Sequence, residues 1–260
     1  MTPETAAALR AHLISSGVSG DTATPRASAV SNAEKLAEGD PDKHLGTGAR
    51  GRDVRAVLEA VAALCGCSSS IDEREGPGVI DPDRTLEGLV AAGDRLAGVA
   101  HPGARVLITT GHPTGLLPMY QAVGRALIAA GVTLEMPIEN VRLETPRPYR
   151  RPRTIRYLDG VGCLCTAADV LHTHESWPMQ ALLGAIDRPD LVLADHGFAG
   201  AAAARGFDPV CFTDVNDPAI AVAKADGLIG AVVPLDDNLP PVLYEPLRDY
   251  LIGRIFGRIV

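Results

Sequence analysis

Arg105-Val106-Leu107-Ile108-Thr109-Thr110-Gly111-His112-Pro113-Thr114-Gly115 passes from an apolar run into a polar, glycine-rich turn. The run reads as a buried strand, and the turn as its exit into a helix that stops near the Gly131 break. Three further segments repeat this order: Val170-Leu171 before His172-Thr173-His174-Glu175, residues 191–194 before Asp195-His196-Gly197, and residues 210–212 before Asp214-Val215-Asn216-Asp217. Alternation of strand, polar turn and helix predicts an α/β fold with a doubly wound, mostly parallel sheet. The carboxyl ends of such strands point one way, so polar clusters spread over a hundred positions converge along one edge.

Outward from this core the pattern changes. Thr154-Ile155-Arg156-Tyr157-Leu158, Asp159-Gly160 and Val161-Gly162-Cys163-Leu164-Cys165 predict an inserted β-hairpin, because Asp-Gly suits a two-residue turn. A sixth apolar run, 230–235, leads into Asp236-Asp237-Asn238, which either extends the polar edge or forms a turn before Pro240. Residues 242–256 have helical apolar spacing and are expected to pack on the sheet. Residues 3–15, 33–38, 54–64 and 86–98 read as helices separated by Gly, Pro and Ser. The expected organisation is an N-terminal helical layer or cap over 1–100 and a Rossmann-like α/β core over 101–260.

At 260 residues the chain can bury a sizeable core without a second one. A net charge of −8 and a pI near 5.3 argue against a protein that grips a nucleic-acid backbone. Five cysteines in no secretory arrangement, and an N-terminus without a signal-peptide pattern, predict reduced thiols and a cytoplasmic location. No stretch of about 18 uncharged apolar residues occurs, so no membrane span is expected. Aromatic residues are 4% of the chain, which offers no stacking platform pointing to a nucleotide base. The expected partner is a small-molecule substrate.

Thr110, Gly111, Thr114 and Gly115 form the best anion-site candidate, because backbone N–H groups at a helix start attract phosphate or carboxylate. The alternative is a tight turn capped by Thr110 or Thr114. The stretch lacks the Gly-Lys-Ser/Thr ending of an ATP loop and the three-glycine spacing of a dinucleotide site. His112 suits a general acid or base, a nucleophile towards phosphorus or a metal ligand. His172 and His174, two apart in a strand-like stretch, would share a face and can chelate one ion. Glu175 then either orients a histidine or charges the start of the next helix. Asp195, Asp214 and Asn216 complete an oxygen-rich set with His172, suited to Mg²⁺ or Mn²⁺. Asp217 is expected to cap the helix that Pro218 opens. His112, His174 and Asp195 are the catalytic candidates. Among the basic residues 142–156, Arg150 and Arg153 are the candidate substrate contacts. Cys65-Gly66-Cys67 and Cys163-Leu164-Cys165 are spaced too tightly for a zinc ribbon, and no Gly-x-Ser-x-Gly elbow occurs.

Several strings together, Gly20-Asp21-Thr22-Ala23-Thr24-Pro25-Arg26, Thr110-Gly111-His112-Pro113-Thr114-Gly115-Leu116-Leu117-Pro118, Ala194-Asp195-His196-Gly197, Asp214-Val215-Asn216-Asp217-Pro218 and Val233-Pro234-Leu235-Asp236-Asp237-Asn238, resemble an uncharacterised family of actinobacterial proteins that carry a phosphatase label. The resemblance spans most of the chain and departs at Ala27-Ser28, where Asn-Asn is expected. It implies hydrolysis of a phosphoric monoester on a small metabolite. In that reading the Gly111 to Gly115 turn binds phosphoryl oxygens, Asp195 and Asp214 hold a divalent ion, and His112 or His174 handles a proton. A looser similarity, through Thr110-Gly111 and 214–217, is to D-glutamate cyclases and implies a metal-assisted lyase or cyclase on a carboxylate. A non-catalytic small-molecule binding protein is the third reading.

Overall fold

Runs of Val, Leu and Ile bounded by polar turns become strands buried on both faces, and the amphipathic segments between them become the covering helices. The computed structural model describes residues 1–49 and 51–258. In chain order the elements are α1 (Pro3–Ser16), β1 (Gly20–Pro25), α2 (Arg26–Glu38), α3 (Val54–Cys65), β2 (Pro77–Ile80), α4 (Pro82–Gly98), β3 (Arg105–Thr110), α5 (Leu117–Ala129), β4 (Thr133–Leu134), β5 (Thr154–Leu158), β6 (Val161–Cys165), α6 (Trp177–Gly184), β7 (Leu191–Asp195), α7 (His196–Ala204), β8 (Val210–Thr213), α8 (Pro218–Ala225), β9 (Ala231–Pro234) and α9 (Glu245–Ile255). Short 3-10 turns lie at Pro41–Lys43 and Pro241–Tyr244.

The main sheet runs β5-β6-β3-β7-β8-β9, with β4 paired to the start of β3. β3, β7, β8 and β9 are parallel, whereas β5 and β6 form the antiparallel hairpin, with Leu158 opposite Val161. Asp159 and Gly160 make its turn at φ +53° and +83°, the left-handed geometry a two-residue hairpin needs. β7, β8 and β9 are buried throughout, the expected state of a sheet covered on both faces.

Two apolar cores lie on the two faces. One gathers Leu58, Ile80, Val192 and Phe198, and the other Leu13, Leu96, Val106 and Leu193. The N-terminal helices therefore contribute side chains to both. Helix α4 begins at Pro82 with the Asp81 side chain accepting from the Asp83 N–H, and it lies so close on β9 that a Cβ at Gly88 would sit 2.4 Å from the Val232 carbonyl oxygen. Leu89 and Leu96 on its inner face are fully buried, each stabilising by roughly 1.5–3 kcal/mol.

Two features depart from the expectation. Val170-Leu171 is not a parallel strand: Val170 is 43% exposed and touches the sheet only through an isolated antiparallel bridge to Cys165. Two apolar residues make too short a run to hold a place in the sheet, and His172 and His174 ride instead on a loop across its carboxyl edge. The second is a small antiparallel sheet of β1 and β2, whose Gly, Thr and Pro composition carries little strand signal. Among the described residues no helix is long and apolar enough to cross a membrane.

Candidate active site at the carboxyl edge

The strand ends, with the loop that carries His172 and His174, place four histidines and five aspartates together. His112 follows β3, where its N–H donates to Thr110 Oγ1 at 2.9 Å. On the neighbouring strand Asp195, fully buried, accepts from Thr110 Oγ1 and from the Gly111 N–H, both at 2.6 Å. Burial pushes the Asp195 carboxyl up, against the His196 charge and these two hydrogen bonds. Asp195 thus stands behind His112 and braces the turn, with both carboxylate oxygens engaged by Thr110 and Gly111.

His196 lies at the centre. Its Nε2 is 3.2 Å from His112 Nδ1 and 3.3 Å from Asp237 Oδ2, while its Nδ1 is 3.1 Å from Asp217 Oδ2. His172 stacks on His112 and His174 on His196, each with ring centroids 4.4 Å apart, and the two Nε2 atoms of His172 and His174 are 3.1 Å apart. Close loop contacts make this possible: a Cβ at Gly111 would lie 2.4 Å from the Thr173 carbonyl oxygen, one at Gly115 2.2 Å from that of Asp237, and one at Gly197 2.3 Å from that of His174. The glycines of the β3 turn therefore bring the neighbouring loops in, and two of its N–H groups, on Gly111 and His112, are bonded within the protein. Thr114 is exposed.

Beside the histidines, Asp214, Asp236 and Asp237 are buried with carboxylate oxygens within 4.8 Å of one another. Asp214 accepts from Thr24 Oγ1 and from the Val215 N–H, and Asp236 from the N–H groups of Ala23 and Asn238. Burial, then the Asp237 charge, pushes Asp214 well above the usual carboxylate range. Burial opposes ionisation of Asp237 as well, but His196 and His112 hold it below that range. The same carboxylates, Asp217 and Asp237, outweigh burial at His196 and hold its pKa well above normal. His172 is lowered to about 4 by burial and by the neighbouring imidazoles, and burial lowers His174, so both rings keep a lone pair at neutral pH.

Three sets of possible ligands emerge: His112, His172 and His196; His174, His196 and Asp217; Asp214, Asp236 and Asp237. Nitrogen–nitrogen and nitrogen–oxygen separations of 3.1–3.3 Å match the edge between neighbouring ligands of an ion about 2.1 Å from each. His196 Nδ1 and Asp237 Oδ2 each have a charged neighbour, Asp217 Oδ2 at 3.1 Å and His196 Nε2 at 3.3 Å, but neither makes a well-aligned hydrogen bond among the described residues. Poorly bonded buried polar atoms are costly, and a cation beside either one would satisfy it. The donor set fits a divalent ion.

The sequence-predicted residues divide accordingly. His112, His172, His174 and Asp214 come together. Asn216 is seen only through its carbonyl, which accepts from Asn32 Nδ2 at 2.7 Å. Arg150 is exposed, and Arg153 lies over the Tyr149 ring, 4.3 Å from its centroid. Asp217 occupies the position before α8 but makes no capping bond with its side chain, a correction to its expected role. Pro218 already suits the helix start, and the carboxylate turns to His196 instead. Asp236 and Asp237 join the edge, and the cue for them was the apolar run before them, the same grammar as in the other four clusters.

A cleft of about 620 Å³ opens beside His172 and His174, walled by Lys43, Arg147 and Trp177. Glu175 knits one wall: it accepts from Arg147, from the Tyr149 hydroxyl and from Trp177 Nε1. Lys43 and Trp177 carried no signal in the sequence, and Arg147 belonged to the basic stretch 142–156 from which only Arg150 and Arg153 were taken as substrate contacts.

A buried imidazole and carboxylate cluster at the mouth of a cleft is a site for chemistry, and the relatives of the chain bear on which. The family model described as Phosphatase matches residues 4–257. Phosphatase SCO2771 of Streptomyces coelicolor is 39% identical over 254 residues, covering 95% of this chain and 94% of that protein. Matches of that extent include every residue of the cluster, and this chain belongs to the Phosphatase family.

Proposed function

We propose that the protein hydrolyses a phosphate monoester of a small metabolite at a divalent-metal centre on the carboxyl edge of its sheet. One observation carries the reading: His112, His172, His174 and His196 meet Asp214, Asp217, Asp236 and Asp237 with ligand-like spacings, and two of the buried atoms make no well-aligned hydrogen bond among the described residues. Three carboxylates buried side by side need a cation or a proton between them. The imidazole share of the set favours Mn²⁺ or a related transition ion over Mg²⁺.

When bound, the metal supplies charge to offset that on the transferring phosphoryl group and lowers the pKa of an attacking water. The chain's own residues do the rest. His112 Nε2 donates to Asn238 Oδ1 at 3.2 Å and its Nδ1 lies 3.2 Å from Asp237 Oδ1; against the effect of burial, the hydrogen bond and charge of that carboxylate raise the pKa of the ring, so that side of His112 carries a proton until an ion replaces it. His174 lines the cleft with a ring that burial keeps unprotonated, so it can take a proton from water or return one to the leaving oxygen. Lys43 brings a positive charge to the same cleft, where a phosphate dianion would enter, while Arg147 there is paired with Glu175.

The test is metal content and phosphate release on the same preparations. Protein purified without chelator is expected to carry near-stoichiometric divalent metal and to release phosphate from monoesters. Asp237→Asn and His174→Gln should each cut kcat by at least a hundredfold, with metal loss in the first. A wild-type protein that binds metal but releases no phosphate from a broad monoester panel overturns the reading.

A further inference from the structure

The cleft beside His172 and His174 holds the chain's single tryptophan. Trp177 is half-buried: one part of the indole packs on the core, its Nε1 donates to Glu175, and the rest faces the cleft. Tyr149 lies beside it with ring centroids 6.4 Å apart. Arg147 and Tyr149 are both tied to Glu175, so the wall is assembled from segments 26 and 28 residues apart in sequence from that carboxylate. The opposite side is fixed too. A Cβ at Gly46 would fall 2.3 Å from Ser176 Cβ, and the Leu45 carbonyl oxygen lies 1.9 Å from where a Cβ on Gly200 would be. Lys43 stands there, near enough for its charge to be felt at His174, and it joins no ion pair among the described residues.

A metal centre and an unpaired ammonium account for a phosphoryl group. They do not account for the indole of Trp177 in the wall that runs outward from it. A low aromatic content had argued against any stacking platform, yet the one indole in the chain lines the cleft that leads to the histidines. We propose, resting on the phosphatase reading above, that the substrate carries a planar aromatic group on its phosphate: the ring stacks on Trp177, and Lys43 pairs with phosphoryl oxygens at the His172 and His174 end. The cleft of about 620 Å³ is within the range that accepts a molecule the size of a nucleoside monophosphate. Nucleoside monophosphates and simple aryl phosphates share the chemistry, and both enter the test.

Two measurements test it. Emission from Trp177, the sole tryptophan, is titrated with phenylphosphonate, whose C–P bond is not a cleavable ester, and with methylphosphonate. Phenylphosphonate should change the emission saturably and methylphosphonate should not; no saturable change with phenylphosphonate overturns the proposal, whether or not the protein proves to be a phosphatase. Then kcat/KM is compared for phenyl phosphate, adenosine 5′-monophosphate and glycerol 3-phosphate. At least one aromatic ester should exceed glycerol 3-phosphate by about fivefold or more, the lower end of what one ring stacked on an aromatic side chain supplies. Trp177→Ala should collapse that ratio towards one, and Trp177→Phe should restore most of it. If phosphate is released from all three esters at similar kcat/KM, or if Trp177→Ala leaves the ratio unchanged, the aromatic assignment fails while the phosphatase reading stands. Preference for adenosine 5′-monophosphate over phenyl phosphate would place the substrate among nucleotides, and the reverse among simple aryl esters.

Discussion

His196 faces a different carboxylate with each ring nitrogen, and its backbone sits at φ +43°, a conformation that costs an L residue other than glycine about 1 kcal/mol or more. The fold tolerates that strain because the imidazole is the counter-charge of Asp217 and Asp237. In metal-free protein His196→Gln leaves two buried carboxylates without a cation. Stability should fall by roughly 3 kcal/mol, read as a lower urea midpoint at unchanged slope; a change under about 0.5 kcal/mol would mean His196 is neutral there. Glycine positions allow a sharper contrast. Gly111→Ala and Gly115→Ala push a methyl group into the carbonyl oxygens of Thr173 and Asp237, at 2.4 and 2.2 Å, and should each cost about 1–3 kcal/mol and weaken metal retention. Gly98, the last residue of α4, has open space around its Cβ position, and Gly98→Ala should be neutral or stabilising by a few tenths of a kcal/mol. Thermal unfolding of the three variants side by side checks the order.

Among the elements, β1 does more for the site than its weak strand character suggests. It delivers Thr24 Oγ1 to Asp214 and the Ala23 N–H to Asp236, so two of three clustered carboxylates are held by the small N-terminal sheet. Thr24→Val removes a donor from a buried carboxylate and should cost about 1–3 kcal/mol and lower metal occupancy, while Thr24→Ser should recover both. Unfolding by denaturant and elemental analysis read the two effects separately. Little of this was legible in the sequence. β3, β7, β8 and β9 were, because strands covered on both faces must be continuous apolar runs, and the β5 and β6 hairpin was, because Asp159-Gly160 fits few other turns. β1 and β2 were hidden by glycine and proline, and the loop carrying His172 and His174 looked like a strand because two apolar residues precede it. At the site His112, His172, His174 and Asp214 were singled out from residue type alone, and the central place of His196 was not. The pairing of Asp217 with His196, the bracing role of Asp195 and the Glu175 wall depend on contacts between loops far apart in sequence, which no local pattern encodes.

On the scale of the whole molecule, an ion held by these side chains would bind the folded state and not the unfolded chain, which lacks the cluster. Divalent metal at a hundred times its dissociation constant should add about 2.7 kcal/mol and raise the melting temperature by roughly 5–10 °C, and chelation should remove that increment. Differential scanning calorimetry with Mn²⁺, with Mg²⁺ and with chelator measures it, and identical transitions in all three would argue that no ion is held there. The hydrogen bond from Ala23 to Asp236 spans 213 positions, and His112, His196 and Asp214 lie between. No partial chain ending before Asp237 can contain the site, so an ion bound there would be captured only after the last strand has been made and has docked against β1. Tightly held metal per polypeptide then counts the molecules that have finished folding, and a ribosome-bound chain stalled anywhere before that strand should carry none.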